Sequence, residues 1–315
     1  MTSEEAKQFV EQVRREKLDK DSPDLRAALK LLAEELNTKE THFILELLQN
    51  AEDNEYGGKR PELTLRIEAE DPTGIPLSDG CLVVLNNEVG FQSENVRSLC
   101  SVGQSTKKNR SNGYIGEKGI GFKSVFRVTD SPHIFSNGFQ FRFHIPTESE
   151  GFGYILPHWV KDVPPAVGEG FTAILLPLQP GKRELIALQL SKIAPETILF
   201  LRKLKRLAVG EGRSISRDDG KVSLVTLRSN GEDSLYFVHS ERRDKPQNLT
   251  EEKRIGISHR EVTVAFPLKT STACNGRIFA FLPTEFDSGL PFLVNADFIL
   301  NSNRERVLED RRWNQ

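Results

Sequence analysis

Residues 115–126 read IGEKGIGFKSVF, with glycines at 116, 119 and 121 and lysines at 118 and 123. Glycine admits positive φ and lets a ligand approach bare N–H groups. Such a turn entering a helix forms an anion site, because the first amides of a helix lack internal partners. The stretch is neither of the two best-known phosphate loops. A P-loop requires G-x-x-x-x-G-K-[ST], and Phe122 intrudes between Gly121 and Lys123-Ser124. A dinucleotide fingerprint requires G-x-G-x-x-G after a strand. Here the spacing is G-x-x-G-x-G, after the polar, turn-rich SVGQSTKKNRSNGY. Alone, the stretch reads equally as an ordinary glycine-rich surface loop, so the rest of the chain decides.

The chain has 315 residues, enough for two domains with cores of their own. Its net charge of −2, with 28% charged residues, gives no global basic field, which argues against nucleic acid as a partner. Three cysteines (Cys81, Cys100, Cys274) lack metal-ligand spacing and read as small packing residues in a reducing compartment. The start, MTSEEAKQFVEQVRREK, is charged helix rather than a signal peptide, and no apolar run approaches membrane-spanning length. A soluble intracellular protein, of cytoplasm or nucleus and without a membrane partner, is expected.

Amphipathic patterns predict helices over residues 4–17, 24–36 and 41–54. ELTLRIEAE alternates like a half-buried strand and CLVVLN reads as a buried one. A helix in SENVRSLCSVG and a short one over 122–127 come next, then strands at FQFRFHI and FTAILLPL. ELIALQLSKIA reads as a helix continued by ETILFLRKLKRL, and VSLVTL, LYFVHS, VTVAFPL, RIFAFLP and PFLVNADFIL read as strands. SPHIFSNG, SNGEDS and SERRDKPQNLTEEKR read as connections. A boundary near Pro180-Gly181 divides the chain into residues 1–180 and 181–315. Helices and strands segregated in this way favour an α+β fold.

On THFILELLQNAEDNE (residues 41–55), Phe43, Ile44, Leu47, Leu48 and Ala51 share one helical arc of about 140°, the core face. Glu46, Asn50, Asp53 and Asn54 fall on a bordering arc of about 100°. Asn and Asp are mediocre helix formers. Either this is a solvated face, or Asn50 holds a hydrated magnesium while Glu46, one turn earlier, polarises a water. Oxygen donors without a Cys or His cluster suit Mg²⁺ rather than zinc.

ELLQNAEDNEY, NNEVGF, SVGQSTK, IGEKGIGFKSVF and the late LPFLVNADFIL occur in this order along the chain. Together they resemble the GHKL ATPases (gyrase, the ninety-kilodalton heat-shock chaperone, histidine kinases and MutL), and most of all the sacsin and NO VEIN-like branch. The resemblance implies a two-layer Bergerat-type ATP-binding sandwich over residues 1–180, and a smaller, middle-domain-like α/β part over 181–315. It implies ATP and Mg²⁺ as cofactors and slow hydrolysis coupled to conformational change in the chaperone style. Client or partner proteins and a nucleotide-dependent homodimer go with that reading.

Carried over residue by residue, it makes Glu46 the general base and Asn50 the Mg²⁺ ligand, with Asp53 near the base or ribose. Gly90 would admit the adenine. Ser105, Thr106 and Lys107 would line the near edge of a lid. Gly116, Gly119 and Gly121 would wrap the phosphates, with Lys123 adding charge. Thr172 would reach the adenine through water. Arg304, in Asn301-Ser302-Asn303-Arg304-Glu305, would reach the γ-phosphate from the second domain. One departure stands out: the superfamily's D-x-G-x-G is here Asn86-Asn87-Glu88-Val89-Gly90. Asn86 can accept from an adenine amine or donate to another base, and Asn86→Asp is expected to sharpen the preference for adenine. Competing readings are a nucleotide-binding scaffold without turnover, a MutL-like DNA-linked ATPase, and a histidine kinase, for which none of the six histidines offers a phospho-accepting helix.

Overall fold

The alternating ELTLRIE and the unbroken apolar CLVVLN become adjacent antiparallel strands, β1 (Glu62–Glu68) and β2 (Cys81–Asn86). The computed structural model describes residues 1–20, 22–23, 26, 42–101, 121–147, 151, 153–246, 251, 254, 257–270, 276–301 and 306–314. The described residues up to Lys192, with Ala208–Gly212, form one compact unit; Ile193–Leu207 and those from Arg213 onward form a second. The division thus falls after the helix over residues 182–191, where the sequence suggests Pro180-Gly181.

In the first unit the sheet continues from β2 through β6 (Thr172–Pro177), β3 (His133–Ser136) and β4 (Phe139–Arg142) to β5 (His158–Trp159), every pairing antiparallel. β2 is buried along its whole length, so both of its faces are covered. On one face Cys81, Val83 and Leu85 pack with Phe135, Ala173 and Leu175 beneath Val167, Val160 and Phe171. Residues 160–171, proline-rich and without long elements, roof that side.

The other face positions the candidate site. Asn86 pairs with Thr172 and Phe135 with Ala173. Asn86, Thr172 and Ser136 therefore stand in one row across β2, β6 and β3, on the face opposite the apolar cluster. The turn Asn137-Gly138, with φ of 47° and 86°, closes the β3–β4 hairpin. This two-residue Asn-Gly signal is what makes SPHIFSNG half strand rather than connection.

Three α-helices of this unit have tertiary roles. α1 (Ser3–Leu18) starts in a Thr2–Glu5 capping box and buries Ala6, Val10 and Val13, with Phe9 edge-on to Phe139 at 6.1 Å. α2 (His42–Asp53) buries all five residues of its predicted core face. α3 (Ser93–Leu99) meets α1 through Arg97 and Glu16. Residues 121–127 form a 3-10 helix packed on α2, and α4 (Lys182–Ser191) follows β6. The helix expected over 24–36, apart from residue 26, lies outside the described residues.

In the second unit, ETILFLRKLKRL does not continue α4. A 3-10 turn, Pro195–Ile198, leads to β7 (Arg206–Val209), whose end lies across the division. Ile198, Leu199, Phe200, Leu201 and Leu204 are all buried, more than one helical face could hide against one neighbour, and tertiary packing overrides helix propensity. The strands β8 (Arg213–Asp219), β9 (Leu224–Ser229), β10 (Glu232–Asp244), β11 (His259–Lys269) and β14 (Leu293–Ala296) pair antiparallel in that order. β12 (Arg277–Ala280) joins β14 in parallel and carries β13 (Leu282–Asp287) at its other edge. The charged ERRD belongs to the long β10–β11 hairpin rather than to a connection. Among the described residues no helix is long and apolar enough to cross a membrane.

Candidate functional site

Glu46 projects from α2 and is only 8% exposed. Its carboxylate lies against Gly121, the third glycine of the opening motif. A Cβ built at Gly121 would overlap the carboxylate oxygen and stand 2.9 Å from its carbon. The helix motif and the glycine motif, some 75 residues apart, therefore meet at one point. Gly121 has no positive φ, so its role is proximity and not an unusual backbone.

From Glu46 the polar arc of α2 runs through Asn50 toward Asn54, the first residue past the helix, at intervals of four residues. Asn50 is half-buried and Asp53 buried. At 1.5 Å per residue, Glu46 and Asn54 are about 12 Å apart along the axis. The arc is not a solvated face: Glu46 and Asp53 are buried beside the core residues.

Asn54 ends this line on Asn86, donating from Nδ2 to Asn86 Oδ1 at 3.0 Å. Asn86 Nδ2 donates to Tyr56 Oη at 3.0 Å and to the Glu62 carbonyl at 2.8 Å. Tyr56 in turn donates to the Ala51 carbonyl at 2.5 Å, closing the network onto α2. Burial pushes the Tyr56 phenol well above its ordinary value, which keeps it a donor. Both amide hydrogens of Asn86 are thus spent inside the fold. The residue expected to read the base is a brace between α2 and β2.

After β2 ends at Asn86, Glu88 lies in the bend that follows. Glu88 is 6% exposed, and its Oε1 accepts from the Thr172 hydroxyl at 2.5 Å. Thr172 Oγ1 is also 2.5 Å from Ser136 Oγ, which accepts from the Phe91 amide at 2.8 Å. The structure therefore ties Thr172 to a carboxylate. Gly90 has φ of 92°, and a Cβ there would come 2.7 Å from Asn137 Cβ. Its freedom lets the loop after β2 close on the β3–β4 turn, where Asn137 Nδ2 donates to the Phe91 carbonyl at 2.9 Å.

Lys123, expected to add charge beside phosphates, is held by the fold itself. Its Nζ donates at 2.6 Å to both the Leu99 and Tyr154 carbonyls and lies 4.2 Å from the centre of the Phe143 ring. Full burial pulls its ammonium down to about 7. It clamps the 3-10 helix to the end of α3. Among the described residues no group of three or more His, Cys, Asp or Glu could hold a metal ion. Ser105, Thr106, Lys107, Gly116, Gly119 and Arg304 lie outside the described residues.

Glu88, Ser136 and Tyr56 are the site residues that sequence reasoning missed. Glu88 was not legible from strand period, since β2 ends at Asn86 and residue 88 lies in the bend beyond it. Ser136 needed the Asn-Gly hairpin to be recognised first.

Residues 22–148 match the sacsin domain family, and they contain α2, the loop after β2 and the glycine motif. Over 95% of its length the chain is 40% identical to Protein NO VEIN of Arabidopsis thaliana, and over 31% it is 34% identical to human sacsin. It is thus sacsin- and NO VEIN-like, and it spans 11% of the length of NO VEIN and 2% of that of sacsin.

Proposed function

We propose that the first unit is a Bergerat-type nucleotide-binding domain of the GHKL class, which binds ATP with magnesium and hydrolyses it slowly, coupling turnover to conformation. The observation that carries this reading is the meeting of Glu46 with Gly121 at one end of a polar line that ends, about 12 Å away, on Asn86 and its neighbours. That span suits a nucleotide laid along α2, with phosphates at the glycine end and base at the sheet end. In this reading Glu46 takes the proton of a water attacking the terminal phosphate. The surrounding burial keeps competing water away from that carboxylate. Asn50, from the next turn, offers a neutral oxygen to the divalent cation, which when bound offsets the phosphate charge. Assembly into a nucleotide-dependent dimer with client proteins belongs to the same proposal.

Equilibrium binding of a fluorescent ATP analogue and single-turnover hydrolysis, with and without Mg²⁺, test it. Glu46→Ala is expected to keep binding and lose turnover about 10²–10⁴-fold, the usual worth of a general base. Asn50→Ala is expected to lose the magnesium-dependent part of binding. Unchanged hydrolysis in Glu46→Ala would remove that residue from the mechanism. Binding without turnover in the unmodified chain would make it a nucleotide-responsive scaffold.

A further inference from the structure

The base end of the proposed nucleotide site carries a directed relay of hydrogen bonds. The Phe91 amide must donate, so Ser136 Oγ accepts there. Thr172 gives its one proton to the Glu88 carboxylate, which when ionised can only accept. The Ser136–Thr172 contact of 2.5 Å is then donated by Ser136. Each proton in the series Phe91, Ser136, Thr172 therefore points toward Glu88. Ser136, Thr172 and Glu88 are 4%, 5% and 6% exposed, so bulk water does little to reorient them. The series thus ends on an acceptor, the Glu88 carboxylate. Asn86 adds no donor, because Tyr56 Oη and the Glu62 carbonyl hold both of its amide hydrogens.

From this geometry we infer that Glu88, oriented by Thr172 and Ser136, is the residue that selects the base. It takes a purine with an amino group at position 6 and rejects one with an oxo group there. This rests on the nucleotide-binding reading above, and it assigns selectivity to a different residue from the one the family pattern points to. The physical basis is a fixed buried carboxylate. An exocyclic amine gains a charge-assisted hydrogen bond from it, whereas a 6-oxo group sets two acceptors against each other. Glu88 is a specificity residue and needs no part in phosphate chemistry.

The test is titration calorimetry of the 315-residue chain with magnesium complexes of three triphosphates: ATP, its 6-oxo analogue ITP, and purine riboside triphosphate, which carries only hydrogen at position 6. The expected order is ATP, then the 6-hydrogen analogue, then ITP, with ATP about 10–100-fold tighter than ITP. Glu88→Gln keeps an oxygen for Thr172 and offers an amide hydrogen to a 6-oxo group. It is expected to bring ATP and ITP within about threefold or to reverse them. Glu46→Gln, at the other end of the line, is expected to leave the ATP-to-ITP ratio unchanged. If the unmodified chain binds none of the three, the nucleotide reading and this assignment fall together. If it binds ATP and ITP equally, or ITP as well as the 6-hydrogen analogue, only the Glu88 assignment falls. A folded Glu88→Gln chain with the original ratio has the same consequence. The comparison within the unmodified chain stands whether or not the variant folds.

Discussion

The Glu46 carboxylate fills the space that a side chain on Gly121 would need. Gly121→Ala therefore tests position rather than chemistry. Gly121 sits in a 3-10 helix without positive φ, so alanine meets no backbone strain there. What it meets is the far end of a rotatable side chain, which can swing aside. Stability is expected to change by less than about 1 kcal/mol. If Glu46 is the base as proposed, hydrolysis is expected to fall by at least tenfold, because a base moved by an ångström no longer reaches its water. A thermal melt and a single-turnover assay on the same sample read both. Full hydrolysis in Gly121→Ala would mean that the carboxylate works from another place.

Asn86→Asp is expected to destabilise the protein rather than sharpen its choice of base. A carboxylate has no hydrogen for either acceptor, so buried Tyr56 Oη loses its donor and the Glu62 carbonyl keeps only the Asn87 amide. The new charge would also stand close to Glu52, Asp53 and Glu88, whose charges already act on Tyr56. The loss is expected to be about 2–4 kcal/mol at pH 7 by urea unfolding. Burial and like charges raise the pKa of the new carboxyl above its unfolded value. Part of the loss should therefore be recovered as the pH falls toward 5 and the carboxyl takes a proton. An Asn86→Asp chain as stable as the parent would place Asn86 outside the brace.

Lys123 makes stability depend on pH with a definite sign. Its folded value of about 7 lies below the ordinary 10.5, the largest cause being burial, with Cys100 opposing and Lys17 adding to the shift. Between those values the unfolded chain holds a proton that the native chain does not. Stability should then rise with pH from about 7 to about 10.5, with a slope of up to about 1.4 kcal/mol per pH unit. Lys123→Met keeps much of the volume and removes the titration. The difference between the two unfolding curves isolates this lysine from Cys100, the tyrosines and Lys17, which are common to both proteins. Parallel curves would show that Lys123 stays charged against the Leu99 and Tyr154 carbonyls.

Those three residues also show where sequence reading succeeds and where it stops. The face of α2 was legible because its period depends on spacing alone, and Phe43, Ile44, Leu47, Leu48 and Ala51 are buried as a set. The pairing of Glu46 with Gly121 was implied by motif order but not by local pattern. Lys123 was not legible: a lysine beside glycines reads as a phosphate ligand until the Leu99 and Tyr154 carbonyls are in view. Asn86 misled for the same reason, since its partners Asn54, Tyr56 and Glu62 all lie well before it in sequence and meet it only across the α2–β2 junction. Strand β3 and the full length of β10 were missed where turn chemistry, Asn137-Gly138 and Asn230-Gly231, carried more information than hydropathy.

Gly90 and Asn137 offer a test of how the base-end loop is held. Gly90 has φ of 92°, a region that alanine rarely adopts, and its Cβ would stand 2.7 Å from Asn137 Cβ. Unlike the contact at Gly121, this one is with the root of a side chain, which cannot rotate away. Gly90→Ala is expected to cost about 2–4 kcal/mol, combining backbone strain and overlap. Asn137 itself has φ of 47°, so glycine fits its place in the turn without strain. Asn137→Gly alone loses the 2.9 Å bond from Nδ2 to the Phe91 carbonyl, for about 1 kcal/mol. In the double variant the overlap is gone while the strain at residue 90 remains. The two losses should therefore sum to more than the double variant shows, with a coupling of about 1 kcal/mol or more. Urea unfolding of the four proteins measures it. Strict additivity would mean that the loop after β2 does not rest on the β3–β4 turn, and that the frame around Glu88 is held from elsewhere.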